Sequence, residues 1–279
     1  MSEPAVATKF VPVDPDSPAA GDVAVLTLNR PEQANALSPE MLEDLSRATV
    51  LIKRNPNARA ALLMGKGKHF SAGADLGWMK ASAALDFAAN VADSEKLLHA
   101  FEALATLEIP TIALVHGAAY GGAVGLVAAC DFAIACDSAR FCLSEVKLGL
   151  LPAVITPYLA RKIPHGDLRR LALSARIFDA EEALRCHLVT RVCTHEQRDL
   201  VIREELNPIL QGGKSAQGAF KRLLDAVVIE SMAQGGYTAR AIAAARTSAE
   251  GQAGLAAFFA KQSSPWASQL TPTWTPEQP

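Results

Sequence analysis

The sequence predicts an α/β fold in which parallel strands are joined by helices. Three observations carry that prediction. From Val23 onward, short apolar strand-like runs alternate with segments of helical periodicity. Two segments rich in small residues, HFSAGADL (69–76) and GAAYGGA (117–123), each join such a run to a helix. At 279 residues with 50% hydrophobic content, the chain can bury one large core. Strands that alternate with helices pair in parallel through right-handed crossovers.

The elements follow in order. Residues 1–20 hold four prolines and little periodicity, so they read as a flexible arm. VAVLTLN (23–29) is a strand, broken by Pro31. Ser38, Pro39 and Glu40 start a helix that runs to about Lys53: a capping hydroxyl, a proline at the first helical position and an acid in the first turn. Residues 59–64 form the next strand. A long helical pattern covers 85–107, with Leu97, Phe101 and Leu104 on its apolar stripe, and Pro110 stops it. Then come strand 111–115, helix 121–129 and strands 132–135 and 140–143. Asp179 and Glu182 form a capping box that opens a further helix. Residues 188–192 make a last strand, and from Glu196 the pattern is helical only. The expected organisation is an arm (1–20), an α/β core (21–195) and a C-terminal helical region with an irregular tail (196–279).

Composition excludes several function classes. A net charge of −2 without a basic stripe gives no nucleic-acid surface. The five cysteines form no C-x-x-C pair and have no histidines at zinc spacing, so no metal site is expected. Their odd number and the lack of a targeting pattern suggest reduced thiols in the cytoplasm. Residues 111–130 carry no Asp, Glu, Lys or Arg and are long enough to span a membrane. Four glycines and His116 interrupt them, however, and a buried strand, turn and helix is the better reading.

The two small-residue bends suggest chemistry. Small residues let the backbone approach a ligand. Two such bends can aim two N–H groups at one carbonyl oxygen, forming an oxyanion hole. Glu145 stands in an otherwise apolar run, where a carboxylate is costly without a task or a partner such as Lys147. Ser71 lies near His69 and Asp75, which raises a serine hydrolase. No G-x-S-x-G elbow is present, and neighbours on one short segment rarely reach triad geometry.

From about Val23 to Lys261 the chain resembles the enoyl-CoA hydratase/isomerase (crotonase) superfamily. The resemblance rests on both bends and on SEVKLGLLPAVI (144–155). It implies a spiral of repeated strand–strand–helix units, with C-terminal helices that build a homotrimer or a dimer of trimers. It implies an acyl-CoA thioester as substrate, with coenzyme A part of that substrate and no other cofactor. The backbone N–H groups of Ala74 and Gly122 would stabilise a thioester enolate, and Glu145 would be the acid/base. Ala34 and Ala36 in ANAL (34–37), with Ala72, Asp75, Leu76 and Lys261, fall where the family contacts substrate and CoA.

One position departs from the pattern. The best-known hydratases carry a second glutamate on the helix after the oxyanion glycine, and here that position is Gly125. Three readings stay open: a hydratase whose water is held otherwise, a one-glutamate enoyl-CoA isomerase, and a non-catalytic acyl-CoA-binding scaffold. The wording of the three motifs resembles bacterial methylglutaconyl-CoA and isohexenylglutaconyl-CoA hydratases. Their substrates are β-branched and carry a second carboxylate, which could itself hold the water. In that reading Gly125 leaves room for the branch.

Overall fold

The computed structural model of the protein describes residues 3–13, 21–229 and 235–262. A six-stranded sheet forms its centre. It contains β1 (Val6–Pro12), β2 (Asp22–Leu28), β3 (Ala58–Gly65), β4 (Thr111–Val115), β6 (Phe132–Cys136) and β9 (Arg191–Cys193), in the order β1-β2-β3-β4-β6-β9. All neighbours pair in parallel except β1 and β2, which are antiparallel. Strands β5 (Ala118–Tyr120), β7 (Arg140–Cys142) and β8 (Phe178–Asp179) form a second, three-stranded sheet in that order.

Period-two alternation explains why both faces of the large sheet are covered. Leu26, Leu28, Ala113 and Val115 enter the main core, where helices α1 (Pro39–Arg54), α3 (Phe87–Ala105) and α4 (Gly122–Ala129) pack. Val23, Ile112, Leu114 and Ile134 face the other way. There Val201, Leu206 and Ile209 of α8 (Arg198–Gln211) cover them.

Most of the expected elements form. Ser38 caps α1 by accepting from the Met41 N–H. The apolar stretch 111–130 divides into β4, β5 and α4, and no helix among the described residues is long and apolar enough to cross a membrane. Asp179 caps α7 (Ala180–Arg185) by accepting from the Glu182 N–H at 2.8 Å. The reciprocal half of that box does not form, because the Glu182 carboxylate is taken by Arg170 and Arg176.

Two expectations are corrected. Residues 6–12 are not a loose arm. They pair with β2 over its whole length as an edge strand, a place where Pro12 deprives no inner ladder of a donor. The last strand begins at Arg191, three residues later than expected, because residues 187–189 turn back to bond Ala183 and Leu184. The capping signals at Asp75 and Asp86 also split the region before β4. A short helix α2 (Leu76–Ala83) precedes α3.

The C-terminal helices do more than extend the chain. Besides α8 these are α9 (Lys214–Ile229), α10 (Gly235–Thr247) and α11 (Ala249–Phe259). Helix α10 packs along α3, and α11 lies against α2 and the turn at Glu145–Leu148. These contacts bring α10 and α11 to the site.

Candidate active site

Backbone ladders fix the two small-residue bends against each other. Phe70 N–H donates to His116 C=O at 2.8 Å, Ser71 N–H to Ala118 C=O at 3.0 Å, and Tyr120 N–H back to Ser71 C=O at 3.2 Å. His69 Nδ1 accepts from the Ala118 N–H, and His116 Nε2 lies 2.8 Å from the Gly67 carbonyl, so both histidines are structural. Gly73 has φ +98°, and a Cβ there would sit 2.9 Å from the Tyr120 carbonyl oxygen, so only glycine lets the loops approach this closely. On the other side, loop 34–37 zips onto 72–75. Ala72 N–H donates to Ala34 C=O, Leu37 N–H to Gly73 C=O and Asp75 N–H to Leu37 C=O, at 2.7–2.9 Å. Asn35 staples this loop from within: buried, it donates to the Lys66 and His69 carbonyls and accepts from the Arg30 N–H.

This zipper skips one amide. The bonds flanking Ala74 are made by Leu37 and Asp75, which leaves the Ala74 N–H without an acceptor among the described residues. Gly122 opens α4, so its N–H has no intrahelical carbonyl either. Gly121, at φ +52°, turns the chain into that helix and donates to Cys142 C=O. At the far end of α4, the Lys162 ammonium meets the Val127 and Asp131 carbonyls and complements the helix dipole.

Ala74, Gly122 and Glu145 line one cavity of about 400 Å³. Glu145 begins a single helical turn after β7, and one carboxylate oxygen lies 3.4 Å from where a side chain on Gly121 would start. Its other oxygen is buried with no hydrogen-bond partner. Burial pushes its pKa up to about 7, and only its own backbone N–H pulls it down. No neighbouring cation contributes, so the alternative of an ion pair with Lys147 finds no support. Glu145 is the one carboxylate on the cavity wall among the described residues.

The other sequence-derived positions separate. Ala72 and Leu76 line the cavity. Asp75 does not: its carboxylate caps α2 through the Gly77 and Trp78 amides and lies 3.6 Å from Arg30. Ala34 and Ala36 belong to the zipped loop behind the wall. Lys261 stands exposed beyond the end of α11, while Phe258 of the same helix reaches the cavity. Ser71 is buried, and its hydroxyl faces the Gly73 amide, which leaves nothing for a hydrolase triad.

Gly125 is a correction. It does not line the cavity, and no room stands beside it. A Cβ there would overlap Ile155 and come within 2.8 Å of Phe101. Ile155 fills the volume where a side chain at position 125 would go.

Sequence reasoning missed the far wall, built from Trp78 of α2, Leu97 of α3, Ile242 and Arg246 of α10, and Leu255 and Phe258 of α11. Arg246 had a signal: a lone cation closing the Ala-rich run AIAAAR (241–246).

Residues 19–269 match the family described as enoyl-CoA hydratase/isomerase. A probable enoyl-CoA hydratase of Mycobacterium tuberculosis is 34% identical over 243 residues, covering 86% of this chain and 92% of its own. A crotonyl-CoA hydratase of Syntrophomonas wolfei is 34% identical over 196 residues, or 70% of this chain and 74% of that one. The crystal structure of an enoyl-CoA hydratase from Shewanella pealeana superposes with a TM-score of 0.75 at 37% identity, over 94% of this chain and 96% of that one. With its mixed α/β fold and a site assembled from both bends, the chain belongs to the enoyl-CoA hydratase/isomerase (crotonase) family.

Proposed function

We propose that this protein is an enoyl-CoA hydratase-type lyase acting on an acyl-CoA thioester. The observation that carries the reading is the meeting, on one cavity wall, of two unpartnered amides and a buried glutamate with pKa about 7. Addition of water to an enoyl thioester passes through an enolate with negative charge on the carbonyl oxygen. Ala74 and Gly122 N–H groups would receive that oxygen, and Gly122 adds the positive end of α4. Glu145, near half-protonated at neutral pH, would give the proton to Cα in hydration and take it in dehydration. Coenzyme A arrives with the substrate, and no further cofactor enters the scheme.

The substrate we favour is a β-branched glutaconyl-CoA ester such as 3-methylglutaconyl-CoA or isohexenylglutaconyl-CoA. Support comes from the wording of the three motifs and from the lack of a second carboxylate on the wall: the ester's own carboxylate supplies an acceptor for the water. Gly125 no longer supports it. Ala34, Ala36, Ala72, Leu76 and Lys261 are the proposed CoA side of the site. Exposed Phe220 and Leu223 on α9 suit the proposed trimer of a cytoplasmic enzyme.

The test is a panel of CoA esters assayed for hydration and for 3-enoyl to 2-enoyl isomerisation. Hydration of a glutaconyl ester with higher kcat/KM than crotonyl-CoA is expected. Faster crotonyl-CoA hydration would remove the substrate claim. Isomerisation without hydration would favour the one-glutamate isomerase, and binding without turnover the scaffold.

A further inference from the structure

We propose that Arg246 is a specificity-determining residue that binds a carboxylate at the distal end of the acyl group. The inference rests on the acyl-CoA reading of the cavity and deepens it by naming the residue that would take the second carboxylate of a dicarboxylic acid thioester.

Arg246 lines the cavity with its side chain only 13% exposed, in a wall otherwise formed largely of Leu, Ile, Trp and Phe. Its nearest carboxylate, Asp93, is 3.6 Å away and already engaged. Asp93 accepts from Trp78 Nε1 at 2.7 Å and Ser82 Oγ at 2.6 Å, and pairs with Lys96 at 3.2 Å. One carboxylate therefore faces two cations, half-exposed Lys96 and buried Arg246, so Asp93 alone does not neutralise the guanidinium. Burial lowers the Arg246 pKa, and Asp93 compensates that only in part.

Geometry gives the same answer. One guanidinium nitrogen, Nη1, donates to Ser94 Oγ at 3.2 Å. The Trp78 ring holds the plane, with its centroid 5.9 Å from the guanidinium carbon. No other donor of the fork has a bonded partner among the described residues. A guanidinium fixed on one edge and open on the other matches a carboxylate in bidentate fashion. The CoA phosphates are the other anions such a cation could meet, and the experiment separates the two sources.

Binding is measured with saturated, unreactive thioesters, glutaryl-CoA against butyryl-CoA, on wild type, Arg246→Gln and Arg246→Lys. Wild type is expected to bind glutaryl-CoA at least tenfold more tightly. Arg246→Gln should collapse that preference to within about twofold while leaving butyryl-CoA affinity nearly unchanged, and Arg246→Lys should retain part of it. Equal weakening of both esters would assign Arg246 to the CoA phosphates and overturn the proposal. An undiminished preference in Arg246→Gln would do the same. Should Arg246→Gln not fold, the comparison rests on Arg246→Lys, and an unchanged preference there is the overturning result. Binding needs no turnover: preference for glutaryl-CoA without hydration of any ester would defeat the hydratase reading and leave this one standing.

Discussion

The two ends of the cavity are built from different materials. At the proposed oxyanion end the wall is main chain: Ala74 and Gly122 present amides, locked by ladders from residues 34–37, 70–75 and 118–121. At the proposed acyl end it is side chain: Trp78, Leu97, Ile242 and Arg246 reach in from three helices. The first kind of wall tolerates little change, because each amide is set by the chain on both sides of it. The second can be rewritten one residue at a time. On the proposed reading, a fixed chemical task is thus separated from an adjustable choice of acyl group.

The sharpest way to break this comparison is at Glu145, whose carboxylate lies beside Gly121 on the cavity wall. Glu145→Gln keeps the size and removes the proton carrier. General acid–base groups contribute about 10²–10⁴-fold, so kcat should fall by at least a hundredfold. Ester binding measured by calorimetry should persist. Activity within a few-fold of wild type would make Glu145 structural. The pH profile carries the same information. With a pKa near 7, hydration that needs the protonated acid should decline as pH rises through about 7, and dehydration should increase over the same range.

Next in size is the backbone donor. Gly122→Pro deletes the N–H at the first helical position, which suits the proline backbone, although its Cβ would stand 2.8 Å from Leu37 Cδ1 and that side chain must give way. Loss of one oxyanion donor costs about 10²–10³ in kcat. A variant with wild-type kcat and an intact far-ultraviolet dichroism spectrum would show that the Gly122 amide does not serve the reaction.

A third test uses stability. The Glu145 pKa is raised in the folded state, so its favourable contribution is fully present below about pH 4.5 and is lost as pH rises to about 7. Above that, the fold carries a buried, unpaired charge. Glu145→Gln should therefore raise stability by roughly 3 kcal/mol at pH 8, and the gain should shrink towards pH 4.5. Equal melting temperatures at both pH values would mean that the carboxylate is solvated.

The oxyanion end was legible in the sequence because main-chain geometry leaves a compositional trace. Gly73 stands where a Cβ would collide with the Tyr120 carbonyl, and Gly121 where the backbone takes a positive φ that favours glycine. Glu145 was legible as a carboxylate in an apolar run. The acyl end was not, because Arg246 and Trp78 are 168 residues apart and their meeting depends on how α10 packs along α3. Strand β1 was hidden by the prolines on either side of it, although VATKFVP has ordinary strand composition apart from Pro12. The starts of α2 and α3 were written in Asp75 and Asp86, whose side chains cap them. Gly125 shows the opposite error. A missing side chain was read as empty space, but close packing places another residue there.

That last point gives the smallest and most local test. If Ile155 and Phe101 fill the position, Gly125→Ala should overpack the core by about 1–3 kcal/mol and lower the melting temperature, without creating or removing any acid/base group. Ile155→Ala removes the methyl group that a Cβ at 125 would overlap, so the two substitutions should couple. Gly125→Ala should cost less in the Ile155→Ala background than in wild type, which a double-mutant cycle reads directly. Restoring the second carboxylate by Gly125→Glu should fail for the same steric reason, destabilising the protein with no gain in hydration. If Gly125→Ala were as stable as wild type and the cycle showed no coupling, the glycine would border open volume after all. Room for a branched acyl group would then belong to the oxyanion end as well as the helical end.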